Sequence, residues 1–154
     1  MNTKRMTCRL ATLADLDLLA ALNEQLMQDE GHPNDLTRQQ LADRMRTWLQ
    51  GEHRAVIFEE GQDLVAYALY CVGERSPTDR FIFLRHFFVQ RPLRRKGIGR
   101  EAVRLLLTEV FPPNARVLLD VLYHNQAARA FWQKLGFTEH CLTFEKRGAE
   151  FNRE

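Results

Sequence analysis

One continuous stretch is the most informative about the fold: Arg80-Phe81-Ile82-Phe83-Leu84-Arg85-His86-Phe87-Phe88-Val89-Gln90-Arg91-Pro92-Leu93-Arg94-Arg95-Lys96-Gly97-Ile98-Gly99-Arg100. Its first ten residues are rich in aromatic and branched side chains, which favour a strand inside a sheet over one at its edge. The last ten contain five cationic side chains and two glycines. The stretch therefore predicts a buried strand at 80–89, followed by a basic loop.

A helix and a second strand follow this loop. Ile98, Ala102, Leu105 and Leu106 recur at helical spacing, and Pro112-Pro113 ends the pattern, which predicts a helix over 97–110. Residues 116–122 form another short apolar run. A strand–helix–strand unit joins parallel strands, so we expect 80–89 and 116–122 to be a parallel pair.

The rest of the chain surrounds this unit with antiparallel elements. Thr12 and Thr37 each open a capping box before an apolar helical stripe, and Asn125 is placed to cap a last helix. Period-two alternation predicts further strands at 5–11, 55–59, 64–72 and 138–146. We expect one domain, 1–154, of the α+β class: a mixed, mainly antiparallel central sheet flanked by about four helices, with one parallel strand pair.

The overall composition excludes several classes of protein. The 154 residues are 45% hydrophobic, and 22 Lys+Arg against 20 Asp+Glu give a net charge of +2. Such a chain can bury a core, and its small net charge draws it neither to nucleic acid nor to an anionic membrane. Three cysteines at wide spacings and the absence of a signal-like start predict a cytoplasmic protein with no metal site.

The basic loop is the candidate binding site. The start of a helix leaves backbone N–H groups without partners and carries partial positive charge. Two glycines at this point leave room for an anion, and the cations add charge-assisted hydrogen bonds. The pattern predicts a phosphorylated ligand resting on residues 94–99. A solvated basic loop is the alternative that the residues alone leave open.

Two motifs resemble those of the GNAT family of N-acetyltransferases. Arg94-Arg95-Lys96-Gly97-Ile98-Gly99 is similar to the family's Arg/Gln-x-x-Gly-x-Gly/Ala motif, which binds acyl-CoA. Asn125-Gln126-Ala127-Ala128-Arg129-Ala130-Phe131-Trp132-Gln133-Lys134-Leu135-Gly136-Phe137 resembles its second motif, Asn-x-x-Ala-x-x-Phe-Tyr-x-x-x-Gly-Phe. Their order and spacing also fit.

The resemblance implies the acyl-CoA N-acyltransferase fold, whose two parallel strands splay apart around acetyl-CoA. It implies that the pyrophosphate lies on the 95–100 loop, that the pantetheine arm pairs with the end of the central strand, and that the N–H of Val89 polarises the thioester carbonyl. The implied cofactor-binding residues are Phe87, Phe88, Val89, Arg94, Arg95, Lys96, Gly97, Ile98, Gly99, Arg100, Asn125, Ala128, Phe131 and Trp132.

The catalytic groups depart from the family's pattern. Trp132 stands where the family usually has a tyrosine as acid, and an indole N–H is not a usable acid at neutral pH. Tyr123 is the nearest replacement along the chain. The central strand lacks a carboxylate between residues 81 and 90 but offers His86 as a base and Arg85 to bind an acidic acceptor. Alternation along a strand predicts that these two face opposite sides.

Several questions stay open at this level. Glu59 and Tyr70 are further candidates for the base. We expect acetyl transfer from acetyl-CoA to a primary amine of a small molecule or a protein. A CoA-binding module that has lost catalysis is the alternative, because the tyrosine and the carboxylate are missing. Binding of nucleic acid through the 91–100 cations is disfavoured by the near-neutral net charge. The sequence does not identify the acceptor and leaves homodimer formation open.

Overall fold

A computed structural model describes residues 4–31, 35–149 and 151. Its strands and helices, in chain order, are β1 (Met6–Leu10), α1 (Leu16–Glu30), α2 (Arg38–Gln50), β2 (His53–Glu60), β3 (Asp63–Ser76), β4 (Asp79–Val89), α3 (Ile98–Leu105), β5 (Val117–Leu118) and α4 (Gln126–Lys134).

The sheet has five strands in the order of the sequence, β1-β2-β3-β4-β5. Each pair from β1 to β4 is antiparallel, and β4 pairs with β5 in parallel. A two-residue turn at Gly61 and Gln62 joins β2 to β3. The predicted mixed sheet, with one parallel pair and four helices, is confirmed.

The two early helices begin where the sequence predicts. The Thr37 hydroxyl accepts a hydrogen bond from Gln40 N, and the Gln40 side chain accepts one from Thr37 N, so both donors at the start of α2 are satisfied. Thr12 and Asp15 make the equivalent capping box at a 3₁₀ turn that leads into α1.

Helices α1 and α2 supply one side of the apolar core. Leu19 and Met45 are completely buried against Ile57, Tyr67 and Leu69 of the sheet. The complete burial of an aliphatic or aromatic side chain stabilises the folded state by about 1.5–3 kcal/mol. This packing holds α1 and α2 against the sheet face that carries Tyr67.

The third helix differs from the prediction at its end. The α-helical part stops at Leu105, and a wider π-helical turn covers residues 106–110. There the Phe111 N–H donates to the Leu106 carbonyl over 2.8 Å. The wider turn brings the Phe111 ring to 4.9 Å from the Tyr70 ring, on the other face of the sheet from Tyr67.

Two predicted strands are shorter or missing. The strand expected at 116–122 is reduced to the two residues of β5, and the described residues 138–149 form no strand, so the prediction at 138–146 is wrong. Alternation of apolar and polar residues is necessary for a half-buried strand, but a strand also needs a neighbour along its whole length.

The chain divides into two compact units, Met1–Leu122 and Tyr123–Glu154. The second contains α4, which ends just before Gly136, whose φ of 93° favours glycine. None of the helices that the structure describes is long and apolar enough to span a bilayer.

Candidate active site

The parallel pair separates soon after it begins. Ile82 and Phe83 face Val117 and Leu118, and the pairing stops there. Further along β4, Gln90 N donates to Val65 O over 3.0 Å. Successive residues of an antiparallel strand alternate the direction of their backbone groups, so the N–H and C=O of Val89 point away from β3. They face the edge of β4 beyond the end of β5.

The basic loop has backbone geometry suited to an anion. Arg95 and Gly97 have positive φ values of 63° and 81°. Positive and negative φ in alternation turn successive N–H groups toward one side, which makes a concave anion-binding surface. A side chain added at Gly97 would meet no atom within 4 Å, so the space in front of the loop is open. These features fit a phosphate group.

The cations of this loop fall into two sets. Arg91 and Arg94 both bind the Asp29 carboxylate at the end of α1, and Arg94 Nε also donates to Val89 O over 2.9 Å. Arg95, Lys96 and Arg100 are exposed and make no ion pair with any residue the structure describes. The first set holds the loop in place, and the second is available to a ligand.

Asp29 is ionised in this arrangement. Partial burial opposes the charge, but the hydrogen bonds from Arg94 and Arg91 outweigh it and hold the pKa of Asp29 below its ordinary value. The resulting three-residue network, which we call the Asp29 clamp, fixes the start of the loop to the end of α1.

A bulge in β4 changes the direction of the two polar residues that the sequence singles out. Leu69 faces His86 and Tyr70 faces Leu84, so Arg85 is the extra residue. Such an insertion interrupts the alternation of faces. Arg85 and His86 accordingly both contact Trp48 of α2, so the prediction that they face opposite sides is wrong.

Trp48 is the centre of a cluster on the α1–α2 face. Its ring centroid lies 5.6 Å from that of His53 and 5.3 Å from that of His86. The guanidinium carbons of Arg44 and Arg85 lie 4.7 and 5.5 Å from the same indole. The set called the Trp48 cluster below consists of Arg44, Trp48, His53, Tyr67, Arg85 and His86.

The two histidines of this cluster are neutral at pH 7. Burial, with the charges of Arg44, Arg85 and His53 beside it, lowers the pKa of His86 to about 3. Its Nδ1 lies 3.2 Å from the Tyr67 hydroxyl, whose pKa is raised by burial. His53 Nε2 accepts a hydrogen bond from Arg85 Nε over 3.0 Å, and burial and that charge lower the pKa of His53.

The other candidates for the base lie elsewhere. The Glu59 carboxylate accepts a hydrogen bond from Arg9 Nε on β1 over 3.0 Å. Tyr70 packs against Phe111 on the opposite face of the sheet, where it lines a cleft of about 320 Å³ with residues of β1, β2 and the π-helical turn. Neither residue belongs to the Trp48 cluster.

The second motif, residues 125–137, forms α4 and the ends of that helix. Asn125 caps α4, since its Oδ1 accepts a hydrogen bond from Ala128 N over 3.1 Å. Trp132 is 9% exposed, and its ring lies about 5 Å from those of Phe131 and Phe137, as expected of a core aromatic. Tyr123 is 75% exposed, with the Arg129 guanidinium stacked on its ring.

Four members of the Trp48 cluster are not among the predicted site residues: Arg44, Trp48, His53 and Tyr67. A signal for one of them was present. Leu41, Arg44, Met45 and Trp48 follow the spacing of a single helix face, so Arg44 is a charged residue within an apolar stripe. His53 and Tyr67 join the cluster only through the pairing of the strands.

Among the described residues no group of three His, Cys, Asp or Glu side chains is arranged to hold a metal ion. The three cysteines are free thiols, with Cys141 exposed.

Solved structures share this fold at low sequence identity. A possible acetyltransferase from Clostridium difficile 630 matches with a TM-score of 0.74 and 21% identity over 95% of this chain and 99% of that one. A predicted acetyltransferase from Clostridium acetobutylicum, solved with acetyl-CoA, gives 0.73 and 20% over 93% and 96%. The aminoglycoside N-acetyltransferase AAC(6')-Iy, in complex with CoA, gives 0.69 and 18% over 96% and 98%.

No curated protein sequence matches this chain significantly. The model of the acetyltransferase (GNAT) family, by contrast, matches residues 19–137, which include α1 to α4 almost entirely, the basic loop and both motifs. That match covers most of the chain, and the sheet, its parallel pair and the loop agree with it. The chain belongs to the GNAT family of acetyltransferases.

Proposed function

We propose that this protein transfers the acetyl group of acetyl-CoA to a primary amine. The observation that carries the proposal is the basic loop between β4 and α3. It combines two positive φ angles, open space at Gly97 and exposed cations at the start of a helix. The solved structures with acetyl-CoA and CoA that share the fold support the same ligand.

The diphosphate of acetyl-CoA would be bound by backbone and side-chain donors of this loop. Backbone N–H groups of residues 95–99 supply hydrogen bonds, and the ends of Arg95, Lys96 and Arg100 supply positive charge. Arg94 would act by positioning the loop, since its guanidinium is engaged by Asp29 and Val89 O and its backbone N–H donates to Arg91 O. Phe87, Phe88 and Val89 of β4 would flank the pantetheine arm, and Asn125, Ala128, Phe131 and Trp132 remain proposed contacts from the second motif.

The thioester supplies an electrophilic carbonyl. We place its oxygen at the Val89 N–H, whose direction toward the open edge of β4 follows from the ladder. A backbone donor at this point stabilises the negative charge that develops as the amine attacks. The C–N bond then forms, the C–S bond breaks, and CoA leaves as a thiol after it has gained a proton.

Two residues are proposed for the proton transfers. His86 lies on the β4 bulge and is neutral at pH 7, so it has a lone pair to accept the proton of the amine. Its pKa of about 3 makes it a weak base until a negative charge is brought beside Arg44 and Arg85. Tyr123, whose side chain is exposed, is proposed to protonate the thiolate.

Gly99→Glu tests the loop. A glutamate in the first turn of α3 suits the helix dipole, so the fold should be retained, but its charge would repel the diphosphate. We expect calorimetry to show acetyl-CoA binding weakened by about tenfold or more. The matched control is Gln62→Glu, which adds the same charge in the β2–β3 turn. Equal affinity in the two variants would contradict the proposal.

Turnover is a separate measurement. Release of CoA thiol in the presence of a panel of amines, with mass spectrometry of the product, distinguishes amide formation from ester formation. A second candidate function is CoA binding without transfer, which is favoured by the buried Trp132 at the family's usual tyrosine position. Tight binding of acetyl-CoA with no turnover on any amine would support that second function.

A further inference from the structure

Two guanidinium groups in the Trp48 cluster lack a counter-charge. Arg9, Arg38, Arg91 and others each bind a carboxylate. Arg44 and Arg85, which both contact the Trp48 ring, have no carboxylate partner among the residues that the structure describes. Burial and the positive charge of Arg85 lower the pKa of Arg44. Neither arginine of the cluster therefore has a carboxylate of its own, although the charge of Glu30, at the end of α1, acts on Tyr67 and helps to raise its pKa.

Two buried N–H donors beside these cations also lack an acceptor. Asn23 is completely buried, and its Oδ1 accepts a hydrogen bond from Arg44 Nη2 over 2.9 Å, which fixes the direction of the amide. Asn23 Nδ2 and Arg44 Nε are buried and have no hydrogen-bond partner. Buried donors are nearly always satisfied in folded proteins, so this pair indicates a place for an acceptor oxygen.

Arg85 offers donors at the outer side of the same site. It uses Nε to bind His53, and a guanidinium carries five N–H groups, so its terminal nitrogens are available. Arg85 is exposed, whereas the Arg44 Nε is buried. A ligand that enters from solvent would therefore contact Arg85 first. Only a small group of that ligand could contact the buried Arg44 Nε.

The position of the cluster connects it to the thioester. His86 and Arg85 lie three and four residues before Val89 on β4, or roughly 10–13 Å along the strand at about 3.3 Å per residue. A small molecule with an amine at one end and an acidic group at the other can span that distance with the help of the long arginine side chains.

We propose that the acceptor is a small amine that carries a carboxylate, and that Arg44 and Arg85 bind this carboxylate beside Trp48. The inference rests on the proposed acetyl transfer and names its acceptor class. A carboxylate is planar and matches the fork of a guanidinium, and its oxygens are the acceptors that the buried donors of Asn23 and Arg44 lack.

Binding of the carboxylate would also prepare His86. The groups that face this imidazole are the charged Arg44 on α2 and Arg85 on β4 and the titratable His53 on β2, and the Tyr67 hydroxyl of β3 contacts its Nδ1. A negative charge between the arginines offsets their repulsion of the protonated ring. The acceptor would thus raise the pKa of His86, so that the base becomes effective when the amine is bound.

The experiment compares matched acceptors. Acetyl transfer is measured with ω-amino acids and with the corresponding carboxamides, which have the same length but no charge. Phosphorylated amines of similar length form a third set. We expect kcat/KM to favour the carboxylates over the carboxamides by about tenfold or more, the usual effect of a hydrogen-bonded charge. A preference for the carboxamides, or for the phosphorylated amines, would overturn the assignment.

Arg85→Gln and Arg44→Gln should each remove that preference, so that the ratio of kcat/KM for carboxylates to kcat/KM for carboxamides falls to about one. The matched control is Arg46→Gln, an exposed arginine on the same helix as Arg44. Thermal unfolding is recorded for all three. Should Arg44→Gln fail to fold, Arg85→Gln, at an exposed position, still decides the outcome.

Calorimetry of the ω-amino acids separates the two proposals. One outcome is that the wild type binds the ω-amino acids and Arg85→Gln does not, while the wild type transfers no acetyl group. This outcome would support the carboxylate site and reject the proposed function. Acetyl transfer that treats carboxylates and carboxamides alike would retain the proposed function and reject the carboxylate site.

Discussion

At the scale of single residues, the chemistry of the site depends on side chains whose surroundings differ from water. His86 is the clearest example, since two arginines and a buried tyrosine surround it. The same histidine on an exposed strand would titrate near pH 6.5 and would be half charged in the middle of the physiological range. Its place on the bulge, rather than its type, sets its role.

The depressed pKa of His86 makes stability depend on pH. Between about pH 6.5 and 3 the unfolded chain takes up a proton that folded His86 does not, so the free energy of unfolding should decrease as the pH falls through this window. The slope from this group is at most about 1.4 kcal/mol per pH unit.

Urea denaturation at several pH values checks this prediction. In His86→Gln the slope should be smaller than in the wild type, because the linked proton has been removed. The control variant is His124→Gln, which removes an exposed histidine outside the Trp48 cluster. An identical slope in His86→Gln and the wild type would show that the folded protein does not hold His86 neutral.

Tyr123→Phe tests the proposed acid. The side chain is 75% exposed and Arg129 stacks on its ring, which Phe retains, so stability should change by no more than about 0.5 kcal/mol. Loss of a general acid should lower kcat by about 10²-fold or more with little change in KM. An unchanged kcat would eliminate Tyr123 from the reaction.

At the scale of elements, the Asp29 clamp joins the end of α1 to the loop that precedes α3. Arg91 and Arg94 both bind one carboxylate, so the first residues of the loop are fixed while Arg95, Lys96 and Arg100 stay exposed. A hydrogen bond from Arg94 to Val89 O extends the clamp to the end of β4. The clamp thus positions the proposed diphosphate site relative to the proposed thioester site.

Asp29→Asn should loosen this clamp. Because the pairs are partly exposed, we expect a loss of about 1 kcal/mol in the free energy of unfolding at pH 7, and a few-fold weaker binding of acetyl-CoA. The contribution of a carboxylate with a lowered pKa is present at neutral pH and lost as the pH falls through its folded pKa, which lies below 3.8. The difference between variant and wild type should therefore shrink in acid.

The matched control is Asp63→Asn. It breaks the Lys4–Asp63 pair, whose atoms are 3.5 Å apart with both side chains well exposed, and should change stability by less than Asp29→Asn does. Equal effects of the two substitutions, measured by urea denaturation, would mean that the Asp29 clamp is an ordinary surface ion pair.

At the scale of the whole molecule, ligand binding and folding are linked. A ligand present at 100 times its Kd stabilises the folded state by about 2.7 kcal/mol. In a chain of 154 residues each kcal/mol raises Tm by roughly 2–4 °C, so acetyl-CoA should raise Tm by roughly 5–10 °C. Thermal unfolding with acetyl-CoA, and with acetate as the control, measures this shift. Equal Tm values with both additives would contradict the proposed binding.

Much of the fold followed from local patterns. The capping boxes at Thr12 and Thr37 placed the early helices, and the apolar run at 80–89 placed the central strand, because caps and periodicity act over a few residues. The end of the sheet could not be predicted from local patterns. Residues 138–146 alternate as a strand does, yet they form no strand, because pairing is a property of two segments and alternation is a property of one.

The family and the basic loop can be predicted from the amino-acid sequence, since both motifs and the crowding of cations before α3 are local features. Which cations are available to a ligand, and what surrounds His86, depends on tertiary contacts. Asp29, more than 60 residues from Arg91, engages two of the loop's arginines, and a one-residue bulge turns Arg85 and His86 to the same indole. Charge pairing and strand register bring together residues distant in the chain, and no local pattern contains them.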